Sequence, residues 1–163
     1  MPQFKTIVNT GAEVGFVSVR NDSGSALSVG QVVVWDMAGT EDGLRVIDPS
    51  GTTAALVVGT AHAATANGDK GIVQVYGLDD DALIIRNGQS ATNDTIQVGD
   101  IMDIYSASSA LQCEIAGAAI LQTSGASNAA FACLPPMFVM AESLASYATS
   151  NKTTNAKVFI RCL

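Results

Sequence analysis

The chain has 163 residues, the size of one ordinary domain or of two small lobes that share a core. Hydrophobic residues make up 48% of it and charged residues 14%, a composition that excludes an intrinsically disordered protein. The formal net charge of -7 excludes a basic nucleic-acid-binding surface as the main function. So few charges on a globular protein predict that part of its surface is covered by partner subunits.

Short β-strands are predicted along the whole chain. The sequence contains 16 Val and 11 Ile but only 10 Leu, and β-branched side chains favour strands because their χ1 angle is restricted in helices. In chain order, the predicted strands cover Thr6–Asn9, Gly15–Arg20, Gln31–Asp36, Leu44–Ile47, Ala55–Thr60, Gly71–Leu78, Leu83–Arg86, Ile101–Ser106, Leu111–Ile115, Ala118–Thr123, Phe131–Leu134, Phe138–Glu142 and Lys157–Leu163.

Turn residues separate these segments. Asn67-Gly68 and Asn87-Gly88 are typical of hairpin turns with positive φ, and the run from Asp48 to Gly51 is typical of a tight turn. One weak helical pattern starts at Met140, where apolar residues recur with helical spacing, but the same residues also fit the end of a strand. The pattern therefore predicts an all-β fold, a small barrel or sandwich of short strands with long loops rich in Ala, Ser and Thr.

The predicted organisation is a single β-rich domain over residues 25–163, preceded by residues 1–24. These first residues form either an N-terminal arm or the first strands of the domain itself. Their apolar patch contains Phe4 and Ile7, which would suit an arm that adds a strand to the sheet of a neighbouring subunit. We therefore name Phe4 and Ile7 as candidate contact residues.

Residues 28–78 and 97–163 are similar to each other in pattern. Each begins with Val-Gly and a polar residue, at Val29 and at Val98, and continues into a strand with an aromatic residue near its end. Each then runs through a strand, a small-residue loop, a polar turn and a final strand. This pattern predicts an internal repeat in which a Gly turn with unusual φ leads into a strand.

Residues 29–77 also carry a family resemblance. The entry Val29-Gly30, the run Val57–Ala61, the Ala-rich residues after it, the turn Gly68–Gly71 and the strand that follows resemble the small β-rich decoration (cement) proteins of tailed-bacteriophage capsids. The chain's end, from Met140 to Leu163, is similar to the module that closes such chains. The segments Met1–Gly24 and Ser106–Pro136 depart from this pattern.

The resemblance implies a structural protein that binds the outer surface of the assembled head and stabilises it against heat and internal DNA pressure. Its implied partners are the major capsid protein and further copies of itself in a homotrimer, with synthesis in the host bacterial cytoplasm. Two alternatives stay open, namely a tail or head–tail structural component and a carbohydrate-binding or adhesin module. For the last alternative Trp35 would be tested, although its apolar flanks favour a place in the core.

Catalysis is not expected. His62 is the sole histidine, no G-x-S-x-G motif is present, and no P-loop or EF-hand loop occurs. The acidic run Asp79–Asp81 is predicted to form a solvated loop at the exit of a strand rather than a metal site. We expect no cofactor, and we name His62, Asp79, Asp80 and Asp81 as further candidate contact residues.

Cys113, Cys133 and Cys162 show no C-x-x-C spacing, so we expect buried free thiols. No run of about 20 apolar residues is present to span a membrane. The first residues lack the charged and apolar regions of a secretory signal peptide.

Overall fold

The structure, a computed structural model, describes residues 4–9, 12–37, 44–49, 56–86, 96–105, 110–113, 138–144 and 152–162. These residues contain ten β-strands: β1 (Phe4–Asn9), β2 (Ala12–Asn21), β3 (Val32–Trp35), β4 (Arg45–Ile47), β5 (Val57–Ala61), β6 (Lys70–Arg86), β7 (Ile101–Tyr105), β8 (Ala110–Cys113), β9 (Phe138–Met140) and β10 (Lys152–Arg161).

The predicted all-β fold class is confirmed. Strands account for 66% of the described residues, and no helix occurs among them. Of the two interpretations left open for the residues from Met140, the strand end is confirmed, because β9 ends at Met140 and Leu144 forms a bridge with Ile96. The predicted strands at Ala118–Thr123 and Phe131–Leu134, the Asn87-Gly88 turn and Cys133 lie outside the described residues.

β6 joins two of the predicted strands into one of 17 residues. The prediction had placed a loop at Asp79–Asp81, between Leu78 and Leu83. The structure instead shows an irregularity within the strand, where the register against β10 shifts between Ala156 and Val158. A bulge of this kind keeps a strand continuous while it absorbs an extra residue, so the turn-like composition of this run did not end the strand.

Each half of β6 completes a ring of five paired strands. β2, β4, β3, β5 and the first half of β6 pair in that order, and β6 pairs again with β2. The second half of β6 pairs with β8, which continues through β7, β9 and β10 back to β6. The ten strands thus form one mixed sheet that does not close into a single barrel.

We call residues 12–78 the first module and residues 79–162 the second module. Each has its own cluster of buried apolar side chains. The first cluster comprises Val17, Val19, Leu27, Val33, Val46, Val58, Ala61, Val73 and Val75. The second comprises Val32, which the first module contributes, and from the second module Ala82, Ile84, Ile96, Met102, Leu111, Phe138, Met140, Ala156, Val158 and Ile160. Cys162 packs against both clusters and so joins the two modules.

The Val-Gly turns of the two modules make the same backbone hydrogen bonds. The Gly30 N–H donates to Ala61 O at 2.8 Å, and the Gly99 N–H donates to Met140 O at 2.9 Å. Both glycines have positive φ, 75° for Gly30 and 94° for Gly99, which explains why glycine occupies both positions.

The correspondence extends to the neighbouring residues. Leu27 bridges Thr65 in the first module, as Ile96 bridges Leu144 in the second. In each turn, the side chain of the residue after the glycine accepts a 2.8 Å hydrogen bond from a backbone N–H. Gln31 accepts it from Ser28, and Asp100 accepts it from Gln97. The two turns are therefore equivalent in their bonding as well as in their sequence.

β1 differs from the other nine described strands. It pairs only with β2, from Phe4 opposite Val17 to Asn9 opposite Ala12. Each of the other described strands has at least two partners. β1 is thus the one described strand that pairs with a single other described strand.

Candidate subunit-contact surface

His62 lies on an exposed surface beside apolar residues. Its ring lies 4.8 Å from that of Phe16, centroid to centroid, and its backbone N–H donates to Ile72 O at 2.9 Å. The Ile72 side chain is 48% exposed. We call Phe16, His62 and Ile72 the His62 surface, an apolar patch that carries the sole imidazole of the chain.

The structure brings this surface close to the strand that carries Phe4 and Ile7. Phe16 pairs with Lys5 of β1, next to the pairing of Phe4 with Val17. Ile7 pairs with Val14 further along the same hairpin. The N-terminal strand therefore pairs within its own chain, while the side chains of Phe4 and Ile7 lie outside the described residues.

Asp79 is not part of an exposed acidic tip. It is buried, its carboxylate accepts a 2.5 Å hydrogen bond from the Thr60 hydroxyl, and it accepts the Asp81 N–H at 2.9 Å. A carboxylate enclosed in this way serves the structure of the bulge. The predicted solvated loop is therefore wrong at Asp79, and the naming of Asp79 as a contact residue stays a prediction.

Asp80 and Asp81 are exposed, but they lie far from His62. Asp80 lies 3.7 Å from the Lys157 ammonium, and the Asp81 carbonyl accepts a bond from the Asn155 amide at 3.1 Å. Eight residues of β6 separate Ile72 from Asp80, or about 25 Å of strand. The predicted contact residues thus fall into two groups, one at each half of β6.

Sequence reasoning missed Phe16 and Ile72. For Ile72 the sequence signal was the apolar pair Ile72-Val73. Consecutive side chains of a strand face opposite sides, so one of the two is expected to face outward. Val73 is buried in the first cluster, and Ile72 is the exposed one.

Gln74 was also missed. Its side chain is buried, and the Nε2 atom has no hydrogen-bond partner among the described residues. Gln74 pairs with Thr60 on one side and with Phe16 on the other. A buried polar side chain thus lies opposite Phe16 of the His62 surface, at a position where strand alternation alone predicts a solvated side chain.

Two features of the described residues concern metal binding and thiol reactivity. No group of three or more His, Cys, Asp and Glu side chains among them could hold a metal ion. Burial raises the pKa of the Cys162 thiol from 9.0 to about 12, so this cysteine stays in the unreactive thiol form. No helix in the described ranges is long and apolar enough to cross a membrane.

Trp35 is half-buried and packs against the first cluster. An aromatic side chain in that position supports the core rather than offering an open platform for a sugar ring.

Comparison with known proteins gave no match, either to a protein-family model or to a curated protein.

Proposed function

We propose that this protein is a capsid decoration protein of a tailed bacteriophage, which binds the outside of the assembled head and reinforces it. The observation that carries the proposal is the placement of the residues on which the resemblance rests. The Val29-Gly30 turn leads into β3, residues 57–61 form β5, the Gly68 turn follows, and residues 71–77 lie in β6. These elements all belong to the first module.

The character of the surface supports a role in protein contacts. The exposed large apolar side chains include Met37 at 73% and Ile72 at 48%, on a chain with only 14% charged residues. Protein interfaces are depleted in charge at their centres, and an acidic protein is repelled by packaged DNA. Such a surface suits a protein that binds the outer face of a protein shell.

The proposed mechanism requires binding alone and no catalysed reaction. A protein that binds only the assembled head stabilises that state by mass action, and the stabilisation grows as the dissociation constant falls below the free protein concentration. Many weak contacts repeated over a symmetric shell suffice for this.

Binding to heads that lack the protein tests the proposal. Purified chain should co-sediment with such heads in stoichiometric amount, appear at symmetric outer positions by cryo-electron microscopy, and raise the temperature at which the heads release DNA. Absence of ordered outer density at saturating protein would contradict the proposal.

A substitution in the His62 surface makes the test residue-specific. Ile72→Lys places a charge in the apolar patch and should weaken head binding by at least about tenfold, as expected for a central apolar contact. Thr153→Lys adds the same charge at an exposed position of β10 and is the matched control. Equal binding by the two variants would remove the His62 surface from the interface.

A further inference from the structure

The turn between β5 and β6 presents the dipeptide Asn67-Gly68 to solvent. The residues from Ala66 to Asp69 are all exposed, and the Asp69 N–H donates to Ala66 O at 3.1 Å, which closes a four-residue turn. Gly68 has φ of 85°, as the third residue of a type II turn requires. Water therefore reaches both residues of this dipeptide.

Asparagine followed by glycine is prone to spontaneous deamidation, because glycine has no side chain to hinder attack by its own amide nitrogen. The Gly68 nitrogen gives up its proton and bonds to the Asn67 side-chain carbonyl carbon. The bond from that carbon to the side-chain nitrogen breaks, and ammonia leaves with a proton. Water then opens the succinimide ring to leave aspartate or isoaspartate, so water is the co-reactant that the whole step needs.

The fold holds both reacting groups of this dipeptide. The Gly68 N–H donates to Asn21 O at 2.7 Å, and the Asn67 side-chain oxygen accepts the Gly24 N–H at 2.9 Å. The attack requires the Gly68 proton to leave and the Asn67 side chain to turn toward Gly68. Both hydrogen bonds, one to the last residue of β2 and one to the loop after it, therefore oppose the reaction.

Asn21 also holds together the two segments that make these bonds. Its N–H donates to Asp69 O at 2.9 Å, and its side-chain amide donates to Ser25 O at 2.7 Å and to Thr65 O at 3.0 Å. The turn thus separates from the end of β2 only when several of these bonds break. Such an opening involves a few surface residues and costs less free energy than unfolding of the whole chain.

We infer that Asn67 is a site of spontaneous deamidation that the hydrogen bonds to Asn21 and Gly24 keep closed, and that it reacts in copies whose turn has opened locally. Either product adds a negative charge, and isoaspartate also lengthens the main chain of the turn by one carbon atom. The reaction thus converts a transient opening into a permanent change. The inference goes beyond the proposed function and does not depend on it, since the reaction needs no capsid.

Peptide mapping by mass spectrometry tests the site. The full chain is incubated at mildly alkaline pH, in native buffer and in denaturing guanidinium chloride. Asn67 should deamidate at least about tenfold more slowly in native buffer, because two hydrogen bonds hold the reacting groups. In guanidinium chloride Asn67 should react as fast as Asn87, which also precedes a glycine. Equal rates at Asn67 in the two solvents would overturn the closed turn, and no product there in guanidinium chloride would overturn the site.

A pair of asparagine substitutions tests the hold of Asn21 on the turn. Asn21→Ala removes the side-chain bonds to Ser25 and Thr65 and should speed native deamidation of Asn67 by at least about fivefold, the factor by which one net hydrogen bond changes an opening equilibrium. Asn155→Ala is the matched control, because its amide donates to Asp81 O in the second module at 3.1 Å. This control should leave the Asn67 rate unchanged. Equal rates in the two variants would contradict the role of Asn21.

Two measurements separate local opening from the global destabilisation that Asn21→Ala brings. Ser23→Ala is a milder change that removes hydroxyl bonds to Asn21 and to Ser25 O, and it should speed deamidation in the same direction by a smaller factor. In the native chain, guanidinium chloride below the unfolding transition should leave the Asn67 rate unchanged, because a local opening exposes little surface. A rate that rises in parallel with global unfolding would overturn the local opening.

Discussion

The two modules share a pattern of strand pairing but fill equivalent positions with different chemistry. In the first module Thr60 pairs with Gln74, and at the equivalent place in the second module Val139 pairs with Phe159. The residues opposite Val46 and Leu111, the equivalent core positions of β4 and β8, are Asn21 and Ile84. The first module is thus polar at several positions where the second is apolar.

Asn21 shows what the polar choice achieves. Its amide donates to Ser25 O at 2.7 Å and to Thr65 O at 3.0 Å, and its side-chain oxygen accepts bonds from Ser23. One buried side chain thereby ties together the loops that follow β2 and β5. In the second module, Ile84 and Leu144 belong to or pack against the apolar cluster instead.

The comparison shows that both modules keep the same backbone pairing, whereas the side chains at equivalent positions can be either polar or apolar. A satisfied polar network fixes loop geometry at the risk of large losses when one member is removed. An apolar interior fixes the geometry of its loops less strictly, because it is held by packing alone. Substitutions at equivalent positions should therefore have unequal effects in the two modules.

The largest inequality is expected at the turn glycines. Gly30→Ala combines positive φ with a Cβ that would overlap the Asp81 carbonyl, so it should destabilise the fold by more than about 3 kcal/mol. Gly99→Ala meets the φ penalty alone and should cost about 1 kcal/mol. Urea unfolding of both variants measures the difference, and equal midpoints would show that the first turn is not docked on β6.

Asn21→Ile, which copies the residue of the second module, should cost about 3 kcal/mol. The substitution removes the four side-chain hydrogen bonds of Asn21, including the buried bond to Thr65 O, and adds volume where they converged. Hydrogen exchange should speed up at residues 22–28 and 62–69 before the strands lose protection. Retained loop protection in a folded variant would mean that the backbone bonds alone hold these loops.

Gln74→Met should raise stability by about 1 kcal/mol. The buried Nε2 atom has no described partner, and replacing an unsatisfied amide by an apolar side chain of similar volume removes its desolvation cost. The apolar Phe159 at the equivalent position supports this direction. Thermal unfolding measures the gain, with Gln31→Met as a control, because Gln31 donates to Asp48 at 2.6 Å and should be weakened by the same change. A loss of stability in Gln74→Met would mean that the amide is bonded, for instance to a buried water molecule.

Much of this fold is predictable from the sequence because its signals are local. Val- and Ile-rich segments and the Asn67-Gly68 turn predict strands and a hairpin, and the structure has them there. The failure at Asp79–Asp81 arose because three consecutive acidic residues look like a solvated loop. Burial of Asp79 depends on the Thr60 hydroxyl, which lies 19 residues earlier and which no local pattern reveals.

The candidate surface was less predictable for the same reason. His62 was identified as the single histidine, but its contact with Phe16 depends on the pairing of β2 with β6 and on the loop after β5. Long-range pairing also decides that Ile72 is exposed while Gln74 is buried, the reverse of what their polarity predicts. The chemistry of isolated residues could be inferred, whereas their grouping into a surface could not.

The smallest expected effect concerns the junction of the two modules, where Cys162 packs against both clusters. Burial raises the pKa of its thiol from 9.0 to about 12, against a smaller lowering by a backbone hydrogen bond from Arg161. Below pH 9 the thiol is protonated in both the folded and unfolded chain, so its contribution to stability is fully present. Between pH 9 and 12 the unfolded chain ionises first, and this contribution is lost as the pH rises.

Cys162→Ala isolates this contribution from that of every other group that titrates at high pH. The difference in unfolding free energy between the native chain and the variant should be constant below pH 9 and should shrink from pH 9 toward 12. Alkylation by iodoacetamide gives an independent readout, because Cys162 should react slowly in the folded protein at pH 9 and rapidly in urea. Rapid alkylation of the folded protein would show that the thiol is open to solvent and that the two modules part at this junction without global unfolding.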